Sequence, residues 1–169
     1  MALHQNTAII LAGSNLGNRL HNLTEAALFL QRLSTKKMAS SSVYESAPWG
    51  NQNQPPFLNQ AFSIYNAFTA HELLDVLLTF EKSQGRTRKH QWEPRSIDLD
   101  ILFFNNEIIC TPELTVPHKH LHERRFVLEP LAELISDFIH PVFKKSISEL
   151  LVECKDDLKV SKYPLYVQK

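Results

Sequence analysis

Apolar positions along this chain fall into blocks whose spacing changes from steps of two to steps of three and four. Thr7 to Ala12 is a short apolar run closed by Gly13-Ser14-Asn15, which predicts a buried strand and then a turn. Leu20, Leu23, Ala27, Leu30 and Leu33 place one apolar stripe along a helix from Arg19 to Leu33. Lys37 to Ser46, with Val43 and Tyr44, reads as a second strand, and Phe57 to Asn66 as a third. In that third strand Leu58, Phe62 and Ile64 take one face, and Phe57, Asn59 and Ala61 the other. Thr69 to Glu72 is a capping box that starts a second helix through Phe80, stopped by Gly85.

Gln84 to Arg95 has basic residues and no apolar period, which describes an exposed loop. Ser96 to Phe104 alternates again, and Asn105-Asn106 followed by Glu107 to Cys110 predicts a hairpin. Leu121 to Ile135 reads as a helix that Pro130 kinks or interrupts. Ser146 to Glu153 offers a last short helix, and Lys155 to Lys169 an extended polar tail. Strand, helix, strand, strand, helix, strand is the ferredoxin-like order. The fold class expected is therefore α+β with a mainly antiparallel sheet.

Composition narrows this further. A chain of 169 residues that is 43% hydrophobic supports one domain, with its core at about 7–151 and the tail at 155–169. Lys+Arg and Asp+Glu both total 18, so no global charge draws the chain to nucleic acid or a membrane surface. The run Ala8 to Ala12 is too short for a signal peptide or membrane span, so the expected location is the cytoplasm. Cys110 and Cys154 lie far apart and read as small packing residues.

The chemistry concentrates in Arg95-Ser96-Ile97-Asp98-Leu99-Asp100-Ile101-Leu102. Aspartates two apart on a strand project from one face, where they ionise together comfortably only around cations, and hard oxygen ligands suit magnesium. Alone, the pair also fits a solvated strand face. The loop just before it carries Arg86, Arg88, Lys89 and Arg95, so donors for phosphate arrive beside the carboxylates. A triphosphate requires both. Gly13 to Asn18 lacks the lysine of a nucleotide-binding P-loop and reads as a turn. Trp49, Phe57, Trp92 and Phe126 supply rings able to sandwich a flat heterocycle. His118, His120, His122 and Arg124 lack the spacing of a zinc site, and His118 is the preferred phosphate donor.

Gly13-Ser14-Asn15-Leu16-Gly17, Phe57-Leu58-Asn59, Gly85-Arg86-Thr87-Arg88, Trp92 to Asp100 and Leu114-Thr115-Val116-Pro117-His118 together resemble the 6-hydroxymethyl-7,8-dihydropterin pyrophosphokinases of folate biosynthesis. The likeness runs from about Thr7 to Leu151. It implies a ferredoxin-like core with helices on both sheet faces, a three-layer sandwich, and transfer of diphosphate from ATP to the pterin hydroxymethyl group with AMP leaving. By the same resemblance Asp98 and Asp100 hold two Mg2+ ions, and Arg86, Arg88, Arg95, His118 and Arg124 contact the phosphates. Glu81, Ile101 and Thr115 would surround the adenosine. The pterin would lie between Phe57 and Phe126, read by Asn59 and the backbone at Ser46 and Ala47, with Trp49 and Trp92 closing around it. Arg86, Arg95, Asp98 and Asp100 are the candidate catalytic residues. Phe57 stands where many members carry Tyr and keeps the ring. A monomer acting on small molecules is expected.

A ferredoxin-like RNA-binding module is a poorer reading, because it wants a basic sheet face. A metal-dependent nucleotide hydrolase shares every phosphate-handling residue, and only the heterocycle pocket separates it.

Overall fold

The computed structural model describes residues 5–85 and 94–165. Its chain order is β1 (Asn6–Ser14), α1 (Arg19–Leu33), β2 (Ala39–Ser40), β3 (Tyr44–Ser46), β4 (Phe57–Asn66), α2 (Ala70–Ser83), β5 (Asp98–Phe104), β6 (Ile109–Cys110), β7 (Thr115–Val116), α3 (Arg125–Ile135), α4 (Ile147–Glu153) and β8 (Val160–Lys162). The main sheet runs β5-β1-β4-β3-β8, with β2 also on β4, and every pair is antiparallel.

Side-chain alternation divides β1 between two apolar clusters. Ala8, Ile10 and Ala12 join Leu23 and Leu30 of α1 and Leu73 and Leu77 of α2. Ile9 and Leu11 join Val127, Leu128 and Leu131 of α3 and Leu150 of α4. The register of β1 with β5 slips between Ile9 and Ile10, leaving Leu102 as an extra residue. As a result Leu102 and Phe103 both enter the α3/α4 cluster. The capping box closes as predicted, with Thr69 and Glu72 bonding reciprocally, and Ser146 and Glu149 repeat the device on α4.

Several expectations are corrected. The stretch read as one strand from Lys37 to Ser46 is broken, because Ser41 turns its Oγ to the Ala61 N–H and Ser42 bonds Glu133. The hairpin after Phe104 does not form. Asn105 is tied back to Thr7 by bonds in both directions, with a φ of 50°, and β6 pairs with β7 instead. This separate ribbon leaves Cys110 exposed, not packed, while Cys154 does pack against α3 and α4.

Pro130 does not interrupt α3, whose apolar face is anchored on the sheet by Val127, Leu128 and Leu131. The break comes earlier, at Arg124, whose extended φ of −120° and ψ of 109° separates a 3-10 turn, Leu121–Glu123, from α3. Beyond Lys155 the chain is not simply a tail, since β8 adds an edge strand to β3 and Asp156 receives the Arg125 N–H. Among the described residues no helix is long and apolar enough to cross a membrane.

Candidate functional site

The register of the sheet lines up one row of residues across its α3/α4 face. Gly13 of β1 stands opposite Asp98 of β5 on one side and Asn59 of β4 on the other, and Asn59 in turn faces Tyr44. One step along, Leu11 lies between Asp100 and Ala61. With strands about 4.8 Å apart, the backbones carrying Asp98 and Asn59 stand about 10 Å from each other, with only a glycine between them. Leu99 and Ile101 go to the opposite, α1/α2 cluster, so the predicted division of this strand into carboxylate and core faces holds.

The carboxylates are crowded. Burial, reinforced by the charges of Asp98 and Glu81, holds the Asp100 carboxyl well above its ordinary value, against the pull of Arg95 and Arg124. Arg95 pairs with Asp98 through Nη1, while its buried Nε finds no partner among the described residues. Among those residues no group of three or more His, Cys, Asp and Glu is gathered around one point, so a cation here would take its remaining ligands from elsewhere.

His118 is mostly buried, and burial, followed by the charge of Arg124, lowers it to about 4. Its Nδ1 accepts the His120 N–H at 3.3 Å, which leaves Nε2 to carry the proton of a neutral imidazole. His118 can therefore donate to an oxygen without changing charge near neutrality.

Around Asn59 the polar groups already have partners on one side. Asn59 Nδ2 donates to Ser46 Oγ at 2.9 Å, and the Ala47 N–H donates to Lys159 O at 3.3 Å, leaving the Ala47 carbonyl for other use. Phe57 lies 5.9 Å from the Arg95 guanidinium. Arg124 lies 4.5 Å from the Trp49 ring and 5.9 Å from that of Phe126. Trp49 also approaches His120 at 6.4 Å, so it covers the arginine side of the valley.

Glu81 meets the outer edge of β5, and β7, which carries Thr115, lies beside that strand. The Leu99 N–H donates outward to Glu81 Oε1 at 2.7 Å. By the two-residue repeat of a strand the backbone of Ile101 faces the same edge, although its side chain is buried in the α1/α2 cluster. The His118 N–H closes the next position by donating to Leu102 O at 3.0 Å. Arg86, Arg88 and Trp92, with most of the loop before Arg95, lie outside the described residues.

Reading Gly13 to Asn18 as a simple turn misses two members of the site. Gly17, with a φ of 67°, does occupy a left-handed turn, but Gly13 lies inside β1, outside that region. Its role is close approach, because a Cβ at Gly13 would meet Asn59 Oδ1 at 3.1 Å and Phe57 Cδ1 at 3.9 Å. Asn15 is buried and exchanges bonds with the Arg95 backbone at 3.1 and 2.8 Å, while its Nδ2 reaches Gln54 Oε1 and Pro55 O. It thereby ties the segment before Phe57 to the segment before Asp98. A glycine inside an apolar strand is the signal for Gly13, and membership of the Gly13-Ser14-Asn15-Leu16-Gly17 motif the one for Asn15.

Comparison with known proteins identifies the family. The family described as 7,8-dihydro-6-hydroxymethylpterin-pyrophosphokinase matches residues 9–136. The 2-amino-4-hydroxy-6-hydroxymethyldihydropteridine pyrophosphokinase of Haemophilus influenzae is 40% identical over 151 residues, covering 89% of this chain and 94% of that protein. The Bacillus subtilis protein of the same description is 45% identical over 130 residues, covering 76% and 78%. The solved HPPK-DHPS chain of Plasmodium falciparum shares the fold at a TM-score of 0.69 and 16% identity, with 88% of this chain and 44% of that one covered. This chain is a member of the 7,8-dihydro-6-hydroxymethylpterin pyrophosphokinase family.

Proposed function

We propose that the chain transfers the terminal diphosphate of ATP to the hydroxymethyl group of 6-hydroxymethyl-7,8-dihydropterin, in folate biosynthesis, within the valley on the α3/α4 face of the sheet. The pterin oxygen attacks the β-phosphorus, the bond from that phosphorus to the α-phosphate oxygen breaks, and AMP leaves. One observation carries the reading: Asp98 and Asn59 flank Gly13 across a single face, so a phosphate-binding and a heterocycle-binding group stand one strand apart.

The donor set suits Mg2+, because adjacent carboxylates that resist joint ionisation fit hard dications. Asp98 and Asp100 would hold two such ions, which when bound neutralise charge on the phosphates. The Arg95 Nε, buried without a partner among the described residues, suits a phosphate oxygen. His118 donates to another as a neutral imidazole, and Arg124 adds charge beside it. Arg86 and Arg88 complete the phosphate contacts on the family pattern. Glu81, the Ile101 backbone and Thr115 bound the adenosine at the β5 edge. Phe57 and Phe126 take the two faces of the pterin, Asn59 with the backbone at Ser46 and Ala47 reads its polar rim, and Trp49 and Trp92 close over it. Positioning and charge supply the catalysis, which suits a phosphoryl transfer.

In this reading the chain is a single-domain monomer of the cytoplasm. Its ferredoxin-like core is widened to three layers, with α1 and α2 on one side of the sheet and α3 and α4 on the other. The test is to give the protein ATP and Mg2+ with and without the pterin. Pterin-dependent AMP is expected, and pterin-independent ADP would identify a hydrolase instead.

A further inference from the structure

The connection from Ser46 to Phe57 carries Ala47 and Trp49 and ends at the ring expected to stack on the pterin. Its two ends meet on one nitrogen. Arg19, the first residue of α1, donates from Nη1 to Glu45 Oε2 at 2.8 Å and to Pro56 O at 2.8 Å. Glu45 immediately precedes Ser46 and Pro56 immediately precedes Phe57, and Ser46 and Phe57 are themselves paired in the sheet. Glu45 pairs opposite Leu58, on the α1/α2 side, so the guanidinium grips the connection from behind the sheet.

We propose that Arg19 is a positioning residue for the pterin, fixing both ends of the 47–56 connection without touching either substrate. The inference rests on the pterin reading of the valley. A partly exposed ion pair, with side chains 24% and 36% accessible, contributes little to global stability. Its value is geometric. Releasing it frees the residue before Ser46 and the carbonyl before Phe57 together, and a displacement there moves the stacking ring and the hydrogen-bonding rim relative to Asn59. The Arg95 backbone is held by Asn15, whose Nδ2 also reaches Gln54 Oε1 and Pro55 O, so the phosphate side keeps an anchor that does not pass through Arg19. Loss of the Arg19 clamp should therefore separate the two substrates in their response.

The variants are Arg19→Met, which removes both bonds, Glu45→Gln, which keeps the shape and removes the charge, and Arg19→Lys, which keeps the charge. Pterin affinity is measured by calorimetry in the presence of a non-hydrolysable ATP analogue, with KM and kcat for both substrates and the melting temperature alongside. Arg19→Met should weaken pterin binding and raise its KM about fivefold or more, as expected for a lost charge-assisted pair of bonds. The ATP KM should stay within about twofold, and the lysine variant should recover part of the loss. Equal pterin affinity in Arg19→Met and the parent protein overturns the proposal. So does a parallel fall in ATP affinity, pterin affinity and melting temperature, which marks a merely structural role. Failure of the parent protein to bind the pterin at all refutes the functional reading itself, a different result from a parent that binds and a variant that binds as well.

Discussion

Replacing Gly13 with alanine tests whether the floor between the two half-sites must be bare. The backbone there is not in the left-handed region, so alanine is conformationally acceptable, and restricting the unfolded chain stabilises by about 0.4–1 kcal/mol. Opposing this, the new Cβ meets Asn59 Oδ1 at 3.1 Å, tighter than ordinary contact, so the amide must give by a few tenths of an ångström. Asn59 is buried and tethered to Ser46 Oγ at 2.9 Å, and disturbing that bond costs about 0.5–1.5 kcal/mol. The two effects nearly cancel in stability, and Tm should move by no more than roughly 3 °C.

They do not cancel in binding. Misalignment of the amide by one hydrogen bond raises the pterin KM by roughly three- to tenfold. Phe57 is met only at van der Waals distance and, chain neighbours aside, no other atom of the described residues comes within 4 Å, so the aspartate side is spared and the ATP KM should not change. Steady-state kinetics with each substrate varied, beside a thermal melt, decides the matter. A Gly13→Ala protein with unchanged pterin KM would show that the close approach to Asn59 carries no functional weight.

Two further expectations concern charge. Because the Asp100 carboxyl is held above its ordinary value, the cation-free protein loses stability as pH rises from the carboxylate range, and the deficit is fully present at pH 8. Asp100→Asn should therefore raise Tm at pH 8 without Mg2+ by roughly 3–6 °C, on the order of 1–2 kcal/mol, while abolishing turnover; a lower Tm would contradict the crowding argument. His118 and His140 are both lowered to about 4, chiefly by burial, so the unfolded chain takes up protons first and stability is lost as pH falls from about 6.5 toward 4. In the Asp100→Asn protein, which lacks the opposing carboxyl contribution, chemical denaturation should show a loss of about 1–2 kcal/mol between pH 7 and 5.5, and adding His140→Asn, which keeps an acceptor for the Val142 and Phe143 N–H groups, should flatten part of it. An unchanged slope in that variant would remove His140 from the account.

Local patterns predicted what local forces decide. The capping box of α2 and the two faces of β4 are written in near neighbours and found where the spacing puts them, while the stripe of α1 holds from Leu23 to Leu33 but leaves Leu20 exposed and buries Ala26 instead. Placing Phe57 and Asn59 on one face needed only the alternation of a strand, and the acidic face of β5 likewise. What failed depended on distant partners. Nothing near Asn105 announces that Thr7 will take its hydrogen bonds, yet that contact ends the predicted hairpin. Pro130 looked like the helix breaker, but burial of its neighbours against the sheet outweighs it, and the chain breaks at Arg124 instead. The roles of Gly13, Asn15 and Arg19 come from register and from segments far along the chain, so the stretch from the end of β1 to the start of α1 concealed three different structural tasks.

The central claim, that paired aspartates and an asparagine across Gly13 bring ATP and the pterin together for diphosphate transfer, is tested most directly by following the β-phosphorus. With ATP labelled at that atom and with Mg2+ and the pterin supplied, the label should pass to the pterin diphosphate in equal amount with unlabelled AMP. Asp98→Ala should remain folded and transfer none. Label retained in ADP, or full transfer by the Asp98→Ala protein, would contradict the account.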